Sequence, residues 1–261
     1  MNQRNERILE LKKFILQTAH ETHEGHIPSA FSIMDILYVL YHSVLNVNPH
    51  NPEMSDRDYL IVSKGHSAIG IYAILADCGF FTFDELKTFG KYKSRFGGHP
   101  DLNKVPGIEA STGSLGHGLP IAVGMAMGLN CRQSNQKIFC IVGDGELNEG
   151  SMWEAVTFAG QHKLNNLVCI VDYNHSLEKS VAWGRIDKKI AEFNWDTAIV
   201  DGHDHRALYA AFTKPHEKPL AIIANTIKGN GCPTMEKDPS AWHHRAPNAE
   251  ELQKFLEELE Q

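Results

Sequence analysis

Cysteine is scarce in this chain, and its spacing shows no pairing. The 261 residues contain five cysteines, an odd number, and no Cys-x-x-Cys pair occurs. Three of the five lie within apolar stretches, which favours reduced thiols in a cytosol over a disulfide framework or a zinc site. The cysteines are Cys78, Cys131, Cys140, Cys169 and Cys232.

Long apolar runs, basic blocks and repeats are also missing. No run approaches membrane-spanning length, and the first thirty residues are charged and amphipathic without an apolar signal core. The net charge is −7 with no basic block, which argues against a nucleic-acid partner. With no linker or composition shift and 42% apolar residues, we expect a cytoplasmic protein that contacts no membrane and folds as one domain over residues 1–261.

Two apolar runs are each followed by polar residues that suit a cation site. Residues 137–142 and 166–171 are typical of strands buried on both faces of a parallel sheet. Residues 149–163 between them predict a helix. Because ligands of open parallel sheets lie beyond the carboxyl ends of the strands, Asp144 and Asn174 should be neighbours in space.

The segment around Asp144 suits a clamp for magnesium and a diphosphate. Magnesium takes hard oxygen ligands, here Asp144, Asn174 and a loop carbonyl near Ser176, and leaves room for diphosphate oxygens. Gly143 and Gly145 would let the backbone approach the phosphates, and turn amides form an anion-binding concavity. An ordinary strand-to-helix turn is the alternative, since Gly-Asp-Gly alone is common.

The rest of the chain alternates between strands and helices, which predicts an α/β fold with a doubly wound, mainly parallel sheet flanked by helices. Ser32 is a plausible N-cap, and the last helix is expected to be exposed and acidic. Predicted helices cover residues 6–22, 32–45, 68–78, 119–129, 205–212 and 249–259, and further strands cover 59–62, 197–200 and 220–224.

The Gly-Asp-Gly…Asn motif is similar to the thiamine diphosphate motif, and nearly the whole chain resembles transketolase. Eight landmarks occur in the family's order, which makes the match specific. They are Gly25-His26 with Ser29-Ala30-Phe31-Ser32, Ser63-Lys64-Gly65-His66, Gly98-His99-Pro100, Ser111-Thr112-Gly113-Ser114-Leu115-Gly116, the motif itself, Val200-Asp201-Gly202-His203-Asp204, Thr226-Ile227-Lys228-Gly229 and Trp242-His243.

The resemblance implies a diphosphate-binding domain that holds thiamine diphosphate with Mg²⁺, or Ca²⁺ or Mn²⁺. It also implies that four histidines face the thiazolium carbon and the sugar, where a near-neutral pKa allows imidazole to donate and accept protons. Glu149 would join a carboxylate network across a dimer, although it also suits the first turn of a helix. The implied catalytic residues are His26, His66, His99, His243 and Glu149; the implied cofactor contacts are His66, Gly113, Ser114, Leu115, Gly143, Asp144, Gly145, Glu146 and Asn174; the metal set is Asp144, Asn174 and Ser176.

Other histidines are expected to work differently. His203 and His205 are interpreted as structural residues of a turn. We expect the remaining ones that match nothing in the family to be solvated, namely His20, His23, His42, His50, His162 and His216.

The chain ends soon after Trp242-His243, where a full-length transketolase would continue into a pyrimidine-binding and a C-terminal domain. The resemblance is therefore to the N-terminal subunit of a split, two-chain transketolase. A separate subunit would supply the glutamate that activates the cofactor, and the pair would form a dimer of heterodimers that moves a two-carbon ketol unit between sugars or sugar phosphates. Two alternatives stay open: a related acyloin or decarboxylase-type enzyme on an unusual sugar or keto acid, and a non-catalytic binding or regulatory homologue.

Four departures from the family pattern affect the substrate site and leave the cofactor interpretation in place. Ile27-Pro28 replaces Pro-Gly, His117 stands where glutamine is usual, and His244-Arg245 replaces Gly-Lys. The segment over residues 174–195 is also shorter than the corresponding segment of ordinary transketolases. These changes leave the donor and acceptor sugars undetermined.

Overall fold

The computed structural model describes residues 3–176 and 181–260, without the side chains of residues 3 and 4. Part of the short segment over residues 174–195 therefore lies outside the described residues. Among the described residues, no helix is long and apolar enough to cross a membrane.

A single parallel sheet organises the domain. Its five described strands run in the order β1-β2-β3-β5-β4, and every neighbouring pair is parallel. The three central strands are fully or almost fully buried, as their continuous apolar runs predict. The strands are β1 Tyr59–Val62, β2 Ile138–Gly143, β3 Leu167–Tyr173, β4 Asp196–Asp201 and β5 Leu220–Asn225.

Helices cover both faces of this sheet, which confirms the doubly wound α/β prediction. The longer ones match the predicted helices to within a few residues. The α-helices of the described residues, long and short, are α1 Gln3–Thr22, α2 Ile27–Phe31, α3 Met34–Val39, α4 Ala68–Asp77, α5 Phe83–Leu86, α6 Gly118–Cys131, α7 Gly150–Gln161, α8 Ile186–Ala191, α9 His205–Thr213, α10 Pro233–Lys237 and α11 Ala249–Glu258.

Two apolar clusters lie on opposite faces of the sheet. One joins α1, α3, α4 and α9 to the β-strand side chains of that face, and the other joins α6, α7 and α8 to the opposite face. Neighbouring strand residues belong to different clusters, because successive side chains of a strand point to opposite faces. Cys140 and Cys169 are buried in the second cluster, and all five cysteines are free thiols.

Two details of the helix prediction are wrong. The predicted helix over residues 32–45 begins at Met34 rather than at Ser32, as α3, and it continues into a π-helical turn over Leu40–Val44. Ser32 is the C-cap of α2 and its hydroxyl donates to Asp172 Oδ2 at 2.8 Å, so it is not the N-cap whose oxygen would accept from the first amides of α3. The C-terminal helix α11 is also not fully exposed, because Phe255 is completely buried against Trp242.

Candidate functional site

A cleft of about 400 Å³ opens at the carboxyl ends of the central strands. Its walls come from the segments after β1, β2, β3 and β5, and from residues 239–243 near the C-terminus. This is the position at which open parallel sheets bind ligands. The segments meet there because every strand points the same way, although they are distant in sequence.

Asp144 lines the cleft and has one carboxylate oxygen without a hydrogen-bond partner in the described part of the chain. It caps the short 3-10 turn over Gly145–Asn148, and Oδ1 accepts from the amide of Gly145 at 2.8 Å and from Ser176 Oγ at 3.0 Å. Oδ2 is buried and has no hydrogen-bond partner among the described residues. A buried carboxylate oxygen without a partner is costly, and a bound cation would compensate it.

Asn174 and Ser176 surround the same point. The amide of Ser176 donates to Asn174 Oδ1 at 3.2 Å, while its hydroxyl reaches Asp144. This confirms that Asp144 and Asn174 are neighbours, as their strand-end positions predict. The hard oxygen donors, the open cleft and the unpartnered Oδ2 fit a divalent cation that shares its remaining positions with a diphosphate.

Beneath this set lies a buried ion pair that the motifs do not predict. Asp172 at the end of β3 is fully buried, and Lys64 Nζ donates to its Oδ2 at 2.5 Å. Its remaining bonds come from Ser32 Oγ, Asn174 Nδ2 and Thr226 Oγ1. Burial alone would raise the pKa of Asp172, but the charge of Lys64 and these donors hold it below its ordinary value.

Asp172 therefore fixes the side chain of Asn174 from below. Because Asn174 Nδ2 donates to Asp172 at 2.9 Å, its Oδ1 is left on the opposite side, toward Ser176 and Asp144. The ion pair determines which end of the carboxamide is offered to a ligand.

Glu146 has an internal partner for each of its oxygens. Oε1 accepts from Ser63 Oγ and from the amide of Gly116, and Oε2 accepts from the amide of Gly143 at 3.1 Å. Burial nevertheless raises its pKa. Glu146 lines the cleft but also joins three of its walls, so its position as a cofactor contact remains a prediction.

Four of the predicted catalytic residues form one cluster, and two of them, His66 and His243, line the cleft. The ring of His26 lies with its centroid 5.3 Å from that of His66, 5.2 Å from His243 and 6.4 Å from His99. Desolvation, with the neighbouring histidines and lysines, lowers the pKa of His26 to about 4 and that of His66 to about 2. The pKa of His243 is also lowered, by desolvation and by Lys228. These three imidazoles are therefore neutral at physiological pH, which suits hydrogen bonding to uncharged hydroxyls.

The glycine-rich loop before α6 contributes a second wall. Leu115 lines the cleft, while Ser114 is exposed. Gly113 has φ +154°, and a Cβ there would lie 3.0 Å from the ring of His99, so glycine permits the close approach of loop and imidazole. Gly143 has no positive φ and faces open space.

Glu149, by contrast, lies away from the cleft. It is exposed at the N-cap of α7, beside Gly116, whose Cβ would approach Glu149 Cβ at 2.6 Å. It is not among the residues that line the cleft. Its role between two active sites therefore remains a prediction.

Lys228 is a further functional candidate that the motif analysis did not single out. It lines the cleft, and its Nζ lies 3.3 Å from Nδ1 of His243. Desolvation and the charge of Lys64 lower its pKa to about 8. At neutral pH most of this lysine still carries a positive charge, facing a cleft that suits an anion.

The sequence alone gives little indication that Lys64, Asp172 and Lys228 are functional residues. Two of the landmark segments contain these lysines, namely Ser63-Lys64-Gly65-His66 and Thr226-Ile227-Lys228-Gly229. The sequence analysis identified both segments but assigned no role to either lysine. Asp172 directly follows the predicted strand over residues 166–171, and this position at a strand end was the available signal.

His203 and His205 are structural, as predicted. Both bond to the carboxylate of Asp35, each at 2.8 Å, and the amide of Ile227 donates to His203 Nε2 at 3.0 Å. These contacts support the loop that carries Lys228. Burial acts to raise the pKa of Asp35, but the two histidine contacts outweigh it and hold that pKa below its ordinary value.

Comparison with known proteins agrees with this geometry. A family model described as the thiamine diphosphate binding domain of transketolase matches residues 4–259. The chain is 40% identical over 255 residues to one of the apulose-4-phosphate transketolase subunits, that of Actinobacillus succinogenes, covering 95% of this chain and 92% of the relative. It is 34% identical to the 6-deoxy-6-sulfo-D-fructose transketolase subunit SqwG of a Clostridium species, covering 87% and 85%.

Among solved structures, transketolase from Campylobacter jejuni superposes with a TM-score of 0.89 at 30% identity. The match covers 98% of this chain and 42% of that longer one. Motifs, fold and relatives lead to the same result, and the chain belongs to the transketolase family through its thiamine diphosphate binding domain.

Proposed function

We propose that this chain is the diphosphate-binding subunit of a two-chain transketolase, which moves a two-carbon ketol unit from a ketose to an aldose. The observation that supports this most directly is the unpartnered Oδ2 of Asp144 at the strand-end cleft. Relatives of nearly the same length, named as transketolase subunits, support the division into two chains. The five free cysteines are compatible with the cytoplasm as the proposed compartment.

In this proposal, Asp144 and Asn174 hold a divalent cation, Mg²⁺ or a substitute such as Ca²⁺ or Mn²⁺, with Ser176 completing the loop. Gly143 and Gly145 form the floor near the diphosphate, and Lys228 adds a positive charge. Thiamine diphosphate, when bound, supplies the carbanion chemistry of ketol transfer, and the protein supplies position and electrostatics.

The histidine cluster would act on the sugar. His26, His66 and His243 are neutral at physiological pH, so each can donate through one ring nitrogen and accept through the other. Such groups would orient the substrate hydroxyls and exchange protons with them. His99, on the rim beside Gly113, completes the proposed set.

The chain alone is proposed to be inactive. By resemblance, the glutamate that activates the aminopyrimidine belongs to the pyrimidine-binding domain, and none of the residues described above corresponds to it. A partner chain would supply this domain and the C-terminal domain, and two such pairs would form a heterotetramer. The names of two relatives contain a phosphorylated and a sulfonated sugar, so we propose an anionic sugar as substrate.

The first test is cofactor binding. Thiamine diphosphate binding should be measured by calorimetry with and without Mg²⁺ for the wild type and for Asp144→Asn. We expect the variant to lose Mg²⁺-dependent binding and to keep its fold, because its carboxylate has bonds only to the turn and Ser176. Asp56→Asn, an exposed position at the opposite end of β1, is the matched control. Undiminished binding by Asp144→Asn would show that the clamp is misassigned.

The second test is catalysis. Ketol transfer from xylulose 5-phosphate to ribose 5-phosphate should be assayed with the chain alone and after co-expression with the product of the adjacent reading frame. Activity only in the pair is the expected result. Activity of the single chain would contradict the proposed division of the active site between two subunits.

A further inference from the structure

A second group of metal-binding side chains lies beside the histidine cluster. Glu24, His26 and His244 each offer one donor atom, and the three atoms all lie within 4.8 Å of one another. His244 Nε2 and Glu24 Oε1 are already 3.0 Å apart. Of these residues only His26 belongs to the site proposed above, and Glu24 and His244 have no role there.

Ring stacking and two nearby glycines bring these side chains together. The ring of His244 stacks on that of His26, with centroids 4.3 Å apart and planes 12° apart. Glu24 lies against two glycines: a Cβ on Gly90 would approach its side chain at 3.1 Å, and one on Gly98 would approach Oε1 at 3.3 Å. The absence of side chains at both positions leaves room for the carboxylate to face the two imidazoles.

We propose that Glu24, His26 and His244 form a binding site for a transition-metal ion of the zinc class. Two imidazoles and one carboxylate are donors that Zn²⁺, Co²⁺ and Ni²⁺ prefer, whereas Mg²⁺ requires oxygen ligands such as those around Asp144. Three protein ligands leave a fourth position of a tetrahedral ion open to water or substrate.

Metal binding requires a rearrangement of one ring. With metal–ligand bonds of about 2.0 to 2.1 Å, donor atoms of a tetrahedral site lie roughly 3.3 Å apart. Glu24 and His244 already meet this spacing, so the ion would take the place of the hydrogen bond between them. A rotation of the His26 ring out of its stacked position on His244 would then complete the set.

Occupation of this site would compete with the sugar, because His26 would be a ligand of the metal. This consequence rests on the proposed function, but metal binding itself does not. Binding is therefore measured on the chain without any assay of activity, and a failed ketol transfer would leave its result intact.

The experiment uses the full chain in excess Mg²⁺, which occupies the oxygen-donor site. Titration with Co²⁺ should give the intense visible absorption of a four- or five-coordinate ion, and calorimetry with Zn²⁺ should show one tight site. Glu24→Gln and His244→Gln should each weaken Zn²⁺ binding at least about tenfold, since even outer-shell changes at metal sites have effects of this size.

The controls are matched in chemistry and in exposure. Glu21→Gln and His50→Gln change an exposed glutamate and an exposed histidine outside the cluster, and both should bind Zn²⁺ as the wild type does. Both test side chains are partly exposed, at 33% for Glu24 and 57% for His244, so the variants should fold, which circular dichroism checks. Equal Zn²⁺ affinity in either folded test variant and the wild type, or an octahedral Co²⁺ spectrum, would overturn the proposal.

Discussion

Some side chains at the cleft would contact a ligand, and others hold those side chains in position. Asp144, Asn174 and Lys228 line the cleft, while the buried Asp172 lies beneath it and pairs with Lys64, a buried side chain that also contributes to the lining. The sequence identifies the first two through the Gly-Asp-Gly…Asn spacing. It does not identify the ion pair, because its members are 108 residues apart and only the sheet brings them together.

The ion pair makes a clear prediction about stability. Lys64→Met should lower the free energy of unfolding by about 3 to 5 kcal/mol, because the carboxylate of Asp172 would remain buried without its cation. Urea unfolding followed by circular dichroism measures this. Lys64→Met combined with Asp172→Asn should recover part of the loss, since the neutral amide costs less to bury. A loss below about 1 kcal/mol in the single variant would show that Lys64 is not the main partner of Asp172.

The neutral histidines predict how stability depends on pH. Because the pKa of His66 is lowered from 6.5 to about 2 and that of His26 to about 4, the unfolded chain binds protons below pH 6.5 that the folded chain does not. As the pH is lowered from 6.5 to 4, the free energy of unfolding should therefore decrease, by up to about 1.4 kcal/mol per pH unit for each group.

Urea unfolding at several pH values tests this, with His66→Gln as the informative variant. It should show a shallower fall over that window, whereas the exposed control His50→Gln should match the wild type. A slope unchanged in His66→Gln would mean that His66 is protonated in the folded chain.

Local sequence patterns predict the strands and the long helices, but they do not predict the short helices and breaks between them. Runs of buried apolar residues predicted all five described strands to within two residues at their ends. The short helices α2, α5, α8 and α10 have too few residues for a periodic pattern, so they were missed. The start of α3 was predicted two residues too early for a different reason: the hydroxyl of Ser32 donates to Asp172, a contact that depends on the assembled sheet.

Helix packing around the sheet depends on glycines that look alike in the sequence. A Cβ on Gly160 in α7 would lie 1.7 Å from the carbonyl oxygen of Phe193, whereas one on Gly124 in α6 would meet nothing within 4 Å. Gly160→Ala should therefore cost about 3 kcal/mol or more, because the turn at Phe193 must move. Gly124→Ala should gain about 0.8 kcal/mol from helix propensity. Thermal unfolding of the two variants measures this, and similar effects in both would contradict the packing described for α7.

As one body, the domain leaves apolar side chains uncovered on both faces of its helical layers. Phe158 on α7 is 44% exposed beside the partly buried Trp153, and Tyr209 on α9 is 48% exposed on the opposite face. The solved transketolase chain that superposes on this domain is more than twice as long. In the proposed two-chain enzyme, the partner chain would contact this domain near the cleft.

We expect the partner on the face formed by α6 and α7. The turn that carries Asp144 leads directly into α7, and Ile121 on α6 adds a second exposed apolar side chain to that face. Phe158→Glu should weaken association with the partner chain by about tenfold or more, since a charge at the core of an interface is strongly unfavourable. Tyr209→Glu introduces the same charge at a similarly exposed aromatic residue on the other face and should leave association unchanged. Sedimentation of each variant mixed with the partner distinguishes the two faces, and a loss of association in Tyr209→Glu alone would place the partner on α9.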